Sequence, residues 1–386
     1  MQLVILGGKL QGVEAAYLAR KAGWKVVVID RSPDPPASGL CDDFIRADIQ
    51  EPKDLVPHTA HADLIIPATE NKKTLDCLRH YAATSNIPVL FDFDAFAVSS
   101  SKTASNRLFA QHRIPMPLSW PACGFPVVVK PNEGSGSHGV KVFNDSEHFD
   151  VHIARLLETH VVQQFLRGPL FSIEVIGRSG SYHALQTTDL EMDSSYDCMQ
   201  VKAPTNLRLE HQKTFESLAR TLAESLALTG LMDVEAILHD NTLKILEIDA
   251  RLPSQTPTAV WASSGVNMLE ILADCFLSPD GIQKPVAVYR KGVVYEHICV
   301  QGTLLHIGGE HIMAKAGKLD LAADFFGADE ALTNYHPHRR AWVATLIHIG
   351  TTRQSAWEKR NQVISGICRR FGLSLAEDER QMTDDG

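Results

Sequence analysis

From Gln2 to Phe96 the chain alternates between short apolar runs and amphipathic stretches: "LVILGG", the helical "GVEAAYLARKAG", "WKVVVID", "ADLIIPAT", the helical "NKKTLDCLRHYAATSN" and "IPVLFDF". Apolar strands separated by single helices predict βαβ units on a parallel sheet. At "VSSSKTASNRLFAQHRIPMPLSW" a Ser-rich stretch leads into a short helix, and Pro115, Pro117 and Pro121 then interrupt regular structure, so a boundary is placed near residue 98. Two β-branched runs flank the glycine-serine loop of "FPVVVKPNEGSGSHGVKVF"; with "HVVQQFL" and "LFSIEVIG" they predict a β-rich lid over about residues 125–178. Further strands follow, with a helix around "HQKTFESLARTLAESLALTG". After Val286 come strand-like "VVYEHICVQGTLLHIGG" and "AWVATLIHIG", then a helix at "SAWEKRNQVISGICRRFG" with Trp357, Ile364, Ile367 and Phe371 at near-helical spacing on its core face. The reading is an α/β chain with units at 1–97, 98–285 and 286–375, the last a small α+β domain, and a disordered acidic tail at 376–386.

Composition narrows the function. The chain has 386 residues, 44% of them hydrophobic and 22% charged, with a formal net charge of -9 and a pI near 6.0. That balance disfavours nucleic acid or an anionic membrane as partner and points to small-molecule chemistry. No apolar run approaches the ~20 residues of a membrane span, and no signal peptide is expected at the N-terminus. Seven cysteines, an odd number without a C-x-x-C pair, offer neither a disulfide framework nor zinc spacing, so a reducing cytoplasm is expected. The oligomeric state leaves no signal.

The opening strand-helix-strand "VILGGKLQGVEAAYLARKAGWKVVVID" follows a dinucleotide-binding fingerprint except at one place. Gly7 and Gly12 are present, and the second strand ends in Asp30, but Lys9 occupies the position where a bare backbone would approach a pyrophosphate. An NAD-binding oxidoreductase would need glycine there. The scaffold is therefore expected to serve another ligand, with Asp30 as a nucleotide or structural contact.

The segment "GLMDVEAILHDNTLKILEIDARLPSQTP" carries acids inside two strand-like runs. Asp233 and Glu235 are two apart, as are Glu247 and Asp249, so each pair projects from one strand face. A three-residue loop Asp240-Asn241-Thr242 would pair His239 with Leu243, setting Glu235 opposite Glu247 and Asp233 opposite Asp249. Four clustered carboxylates repel unless a hard cation neutralises them, and oxygen-only donors select Mg²⁺, or Mn²⁺ in its place. Arg251, further along the same face, suits a transferring phosphoryl group or a bound carboxylate. The competing reading is a solvated strand face. Lys130 closes the strand "VVVK", and Gly134-Ser135-Gly136-Ser137 offers backbone N–H groups to phosphates without Walker spacing; an ordinary flexible hairpin is the alternative. Lys102 is a second phosphate candidate, or a solvated helix lysine. His336-Pro337-His338 reads as a surface turn ahead of a metal site.

Taken in order, these features resemble the ATP-grasp superfamily over roughly residues 1–300: a lysine before the lid, another at the end of a lid strand, a glycine-rich lid loop, a hinge strand and an E…E-x-D-x-R segment. The resemblance implies an ATP-grasp fold with a Rossmann-like pre-ATP-grasp domain that contributes to substrate binding. It implies ATP and two Mg²⁺ as cofactors. Lys102 and Lys130 would bind the α/β-phosphates, Gly134, Ser135, Gly136 and Ser137 would cover the γ-phosphate, and Gln163, Gln164, Phe165 and Leu166 would hold adenine. Glu235, Glu247 and Asp249 would ligate the metals, with Arg251 and Lys130 as catalytic residues. The hinge departs from the usual glutamates, although a Gln carbonyl still accepts from an amino group. Leu170 stands where many members carry a ribose-binding acid.

The strings "GGKLQG", "FSIEVIG", "YDCM" and "DARLPSQTP" are more particular and closely resemble the ligase family of pyrrolysine biosynthesis that joins 3-methyl-D-ornithine to L-lysine through an acyl phosphate. That resemblance implies Lys9, Leu10, Gln11 and Glu70 as lysine contacts. Ser172, Glu174, Asp233, Arg251, Ser254, Gln255 and Thr256 would face 3-methyl-D-ornithine or D-ornithine. A carboxylase, a dipeptide or amino-acid ligase of other specificity, and a binding protein without turnover stand as alternatives.

Overall fold

The computed structural model describes residues 1–134, 136–149, 159–278 and 282–376; Ser135 and residues 377–386, to which the sequence assigned a phosphate contact and a tail, lie outside them. The apolar runs at the N-terminus form β1 (Gln2–Leu6), β2 (Lys25–Asp30), β3 (Asp43–Arg46) and β4 (Leu64–Pro67), a parallel sheet in the order β3-β2-β1-β4. Leu3, Val4, Ile5, Val26 and Val28 are fully buried, as expected of strands covered on both faces by helices. The expected strand at "IPVLFDF" is reduced to one bridge between Val89 and Ile65. Asp92 ends it by accepting the backbone N–H groups of Asp94 and Ala95, which starts the helix Phe93–Ser99.

The fingerprint glycines keep their steric roles. A Cβ on Gly12 would lie 2.2 Å from the Gly7 carbonyl oxygen, so the helix Leu10–Lys21 packs closely on β1 only with glycine there. The dinucleotide crevice is filled. Asp30 accepts the N–H groups of Gly8 and Ser32 at 2.7 Å each, Ala37 N–H donates to Gly8 O at 2.8 Å, and Pro35 lies against Gly8.

An antiparallel sheet of β5 (Val127–Pro131), β6 (Lys141–Phe143) and β7 (His160–Gln164) forms the lid. The sequence carried the lid to residue 178, but β8 (Leu170–Arg178) is an interior strand of the large sheet. That segment is apolar on both faces, and its partners lie too far along the chain for local patterning to reveal. The large sheet adds β9 (Ser181–Ala184), β10 (Thr188–Met192), β11 (Cys198–Ala203), β12 (Gly230–His239), β13 (Thr242–Asp249), β14 (Gly292–Gln301), β15 (Leu304–Gly308), β16 (Asp320–Phe325), β17 (Ala328–Thr333), β18 (Ala341–Gly350) and β19 (Ser374–Leu375). Its main path runs β13-β12-β8-β10-β11-β14-β18-β17-β16.

One core joins the first sheet to the second. The helix Leu10–Lys21 packs against the helices Thr256–Ser264 and Met268–Leu277, and Asn267 donates its amide to Leu18 O at 2.9 Å. Among the described residues no single helix is long and apolar enough to cross a membrane; this last pair passes by composition only when joined across a 101° bend. In the helix Arg353–Phe371, Ala356, Val363, Ile364 and Ile367 are buried, whereas Trp357 is half-buried beneath Lys202 and Arg360.

Candidate active site

The β12–β13 hairpin places the acids. Its turn has two residues, not the three expected: Asp240 and Asn241 have φ of 47° and 58°, and His239 pairs with Thr242. A regular ladder from this turn would set Glu235 against Leu246 and aim Glu247 into the core. The ladder shifts by one residue at Leu246, and beyond that bulge Glu235 faces Glu247 and Asp233 faces Asp249. The expected pairing thus arises from a bulge in place of a longer loop.

On its other edge β12 pairs with β8, with Asp233 beside Glu174 and Glu235 beside Ser172. Two rows therefore cross three strands: Glu174, Asp233 and Asp249 in one, Ser172, Glu235 and Glu247 in the other. The face is short of positive charge. Burial raises Glu235 well above the carboxylate range, with repulsion from Glu247, Asp233 and Asp249 adding to it. Burial likewise moves Asp249 to about 7 and Asp233 to about 6, although Arg251 pulls both down. Glu247 alone is lowered: burial pushes it up, but Lys102 and Lys130 outweigh that.

Beside the Glu235–Glu247 row opens a cleft of about 1300 Å³. Lys102, Lys130, Gly134, Gly136 and Ser137 line it at one end, and Gln163, Gln164, Phe165 and Leu166 line it further along. The Lys102 ammonium lies 3.4 Å from the Glu247 carboxylate and donates to Gly134 O at 2.9 Å. Burial lowers Lys130, opposed by Glu247. Gln164 Oε1 is buried without a hydrogen-bond donor. Glu191, Asn206 and Arg208 also line the cleft near Leu170, and sequence reasoning missed them because they come from β10 and the loop after β11, outside any motif.

At the other end Arg251 joins the two sheets. Its guanidinium lies 2.9 Å from Asp249 and 3.0 Å from Glu70, and Gln11 donates to Glu70 at 3.2 Å. Burial works against the Arg251 charge, but Asp249, Glu70 and Asp233 hold it. Ser172 donates to Asp233, and Thr256 donates to Glu174, whose second oxygen is buried and unpartnered. Leu10 is half-buried against the core, and Lys9 is solvent-exposed at the helix N-cap with no capping hydrogen bond. Two acids were missed, the buried Glu14 and the half-buried Glu310. Glu310 stands beside Ser254 and Gln255, and its N–H and the Gln255 side-chain amide both donate to Cys198 O, at 3.1 and 3.3 Å; Glu14 accepts Thr258 N–H at 2.5 Å, fixing the start of the helix that follows Arg251. Glu14 had a signal: it is a lone acid in the otherwise apolar "GVEAAYLA". His336 and His338 are exposed, on a turn closed by Arg339 N–H to His336 O at 2.8 Å.

Among the described residues no three His, Cys, Asp or Glu side chains stand ready as a metal cage; Glu247 is engaged by Lys102 and Asp249 by Arg251. The donor set nevertheless fits a hard dication: it is all oxygen, and the Glu235–Glu247 and Asp233–Asp249 pairs face each other across β12 and β13.

A buried acidic face flanked by two lysines, under a three-stranded lid with a glycine-rich loop, defines the ATP-grasp class, and an ATP-grasp domain profile matches residues 99–255. The chain is 33% identical over 380 residues to the 3-methyl-D-ornithine–L-lysine ligase of Methanosarcina barkeri (strain Fusaro / DSM 804), covering 97% of this chain and 99% of that protein. It is 34% identical over 376 residues to the ligase of the same name from Methanosarcina mazei, covering 96% and 97%. An N5-carboxyaminoimidazole ribonucleotide synthetase, solved as an ADP complex, shares the fold at a TM-score of 0.70 and 16% identity over 96% of this chain and 98% of its own. The chain belongs to the 3-methyl-D-ornithine–L-lysine ligase family of ATP-grasp enzymes. It is an ATP-dependent, ADP-forming carbon–nitrogen ligase.

Proposed function

We propose that this enzyme joins the α-carboxyl group of 3-methyl-D-ornithine to the ε-amine of L-lysine in pyrrolysine biosynthesis. The observation that carries the reading is the two-row acidic face, set between the lysines of the nucleotide cleft and the Arg251–Glu70–Gln11 chain. The substrate carboxylate takes the γ-phosphoryl group of ATP, releasing ADP. The neutral ε-amine then attacks the acyl phosphate, and phosphate leaves with the isopeptide formed.

Lys102 and Lys130 hold the α/β-phosphates. Gly134, Ser135, Gly136 and Ser137 cover the γ-phosphate, excluding water from the acyl phosphate. Gln163 to Leu166 hold adenine, with the unpartnered Gln164 Oε1 suited to accept its amino group. Glu235, Glu247 and Asp249 would hold two Mg²⁺, which supply positive charge against the phosphates. Arg251, held by Asp249 and Glu70, faces the reacting carboxylate and phosphate. The unpartnered oxygen of Glu174, together with Asp233, serves the cationic amines of the diamino acid, with Ser172, Ser254, Gln255 and Thr256 completing its pocket. Lys9, Leu10, Gln11 and Glu70 receive L-lysine, so residues 1–97 act as a substrate unit and 98–285 as the nucleotide unit.

The test is to incubate the protein with ATP, Mg²⁺, 3-methyl-D-ornithine or D-ornithine, and L-lysine, following phosphate release and product mass. Lysine-dependent ADP formation with a product one water lighter than its two substrates is expected. Lysine-independent turnover, or carboxylation with bicarbonate, would overturn it. Glu247→Gln is expected to lower phosphate release at least about a hundredfold with an unchanged circular dichroism spectrum; unaltered turnover would remove the metal assignment.

A further inference from the structure

Gly136, Ser137 and His138 of the glycine-rich loop meet a cluster that the mechanism above does not use. Asp197, at the end of the β10–β11 turn, accepts both the backbone N–H of His311 at 3.0 Å and the ring Nδ1 of His311 at 2.6 Å. Asp193, in the same turn, accepts Gly309 N–H at 3.0 Å. The His311 ring is thereby fixed with its Nδ1–H toward Asp197 and its opposite edge toward the lid loop. There it lies against Gly136: a Cβ at that position would be 2.8 Å from both Cε1 and Nε2 of the ring. The His138 ring meets His311 edge-on with centroids 4.6 Å apart, and Ser137 donates to Tyr196 O at 2.5 Å. At its other end the loop is tied by Lys102 to Gly134 O. Gly136, Ser137 and His138 line the nucleotide cleft, whereas Asp197 and His311 do not.

We infer that the Asp197–His311 pair is a clasp that positions the glycine-rich loop over the nucleotide. Glu310 stands beside Ser254 and Gln255 in the loop after Arg251: its N–H donates to Cys198 O at 3.1 Å, the carbonyl that also accepts the Gln255 side-chain amide at 3.3 Å. Two consecutive residues thus touch the diamino-acid side of the site and the lid, so ordering of the one is transmitted to the other through two backbone bonds. His311 is a positioning residue: it reaches the reaction only through the loop. Its role in the chemistry rests on the ligase reading, because what a loosened lid would admit is water to the acyl phosphate.

The test uses the full-length enzyme with Mg²⁺ and ADP. His311→Ala is expected to increase amide hydrogen exchange across residues 132–143, and Gly136→Ala, which drives a methyl into the ring, is expected to do the same. In the ligation assay both raise the ADP formed per isopeptide product about threefold to tenfold, the loss expected for one hydrogen-bonded clasp, while the KM for L-lysine stays within about twofold. His311→Asn, which still donates to Asp197, restores part of the coupling. Unchanged exchange together with an unchanged ADP-to-product ratio in both variants overturns the clasp. If the wild type forms no lysine-dependent ADP, the substrate reading falls and the exchange measurement alone decides the clasp.

Discussion

Glu174 shows how a single carboxylate reports its surroundings. It is fully buried, one oxygen accepts from Thr256 and the other has no partner, and burial followed by repulsion from Asp233 raises it to about 8 from a reference of 4.5. Between those two values the unfolded chain holds fewer protons at this group than the native protein, so the native state loses stability as pH rises through that window. Glu174→Gln removes the titration while keeping an acceptor for Thr256. Without ligands, the variant is expected to melt above the wild type at pH 8.5, with the gap closing below pH 4.5, while its KM for the diamino acid rises at least about tenfold. Melting curves at several pH values together with steady-state kinetics check both halves; a pH-independent gap would show that Glu174 is not the titrating group. In the sequence, "FSIEVIG" shows this acid as an exception in an apolar strand, whereas Glu310 in "GGEHI" has no such contrast. It comes beside Gln255 only because the chain returns there, where its N–H and the Gln255 amide share Cys198 O.

The hairpin is the element that gathers the acids. The E-x-D spacing of Glu247 and Asp249 already puts both on one face of a strand, and this is legible from period-2 geometry. Which face depends on turn length plus any bulge, and two errors of one residue cancel: the turn is one residue shorter than expected and the bulge at Leu246 adds one back. A bulge is set by packing on both faces of the sheet, so the local string does not announce it. The turn itself is open to test. Asn241 has φ 58°, where a β-branched residue is strained, so Asn241→Val should cost about 1–2 kcal/mol in denaturant unfolding, and Asn241→Gly should be neutral or stabilising. Equal stability of the Val variant would rule out the left-handed turn.

Across the whole molecule the units read from composition are welded together. β11 pairs with β14 from Gln200–Glu296 to Ala203–Val293, so the sheet continues past the expected boundary at residue 285. The helix Leu10–Lys21 shares one core with Thr256–Leu277. Thermal unfolding is therefore expected as a single calorimetric transition, displaced upward by Mg²⁺ and ADP as binding to the native state requires. Two separated transitions, one of them insensitive to nucleotide, would contradict it. By itself the sequence determined the elements and their chemistry: strand and helix periodicities, the oxygen-rich donor set, the lysines at strand and helix ends, and a fingerprint altered at Lys9. These follow from local sterics and side-chain type, which act over a few residues. Only the tertiary structure decided that Pro35 and Asp30 fill the dinucleotide crevice, that Arg251 spans from Asp249 to Glu70, and that β8 belongs beneath the site. Those outcomes depend on contacts between residues up to about 180 positions apart, chosen by how whole surfaces pack.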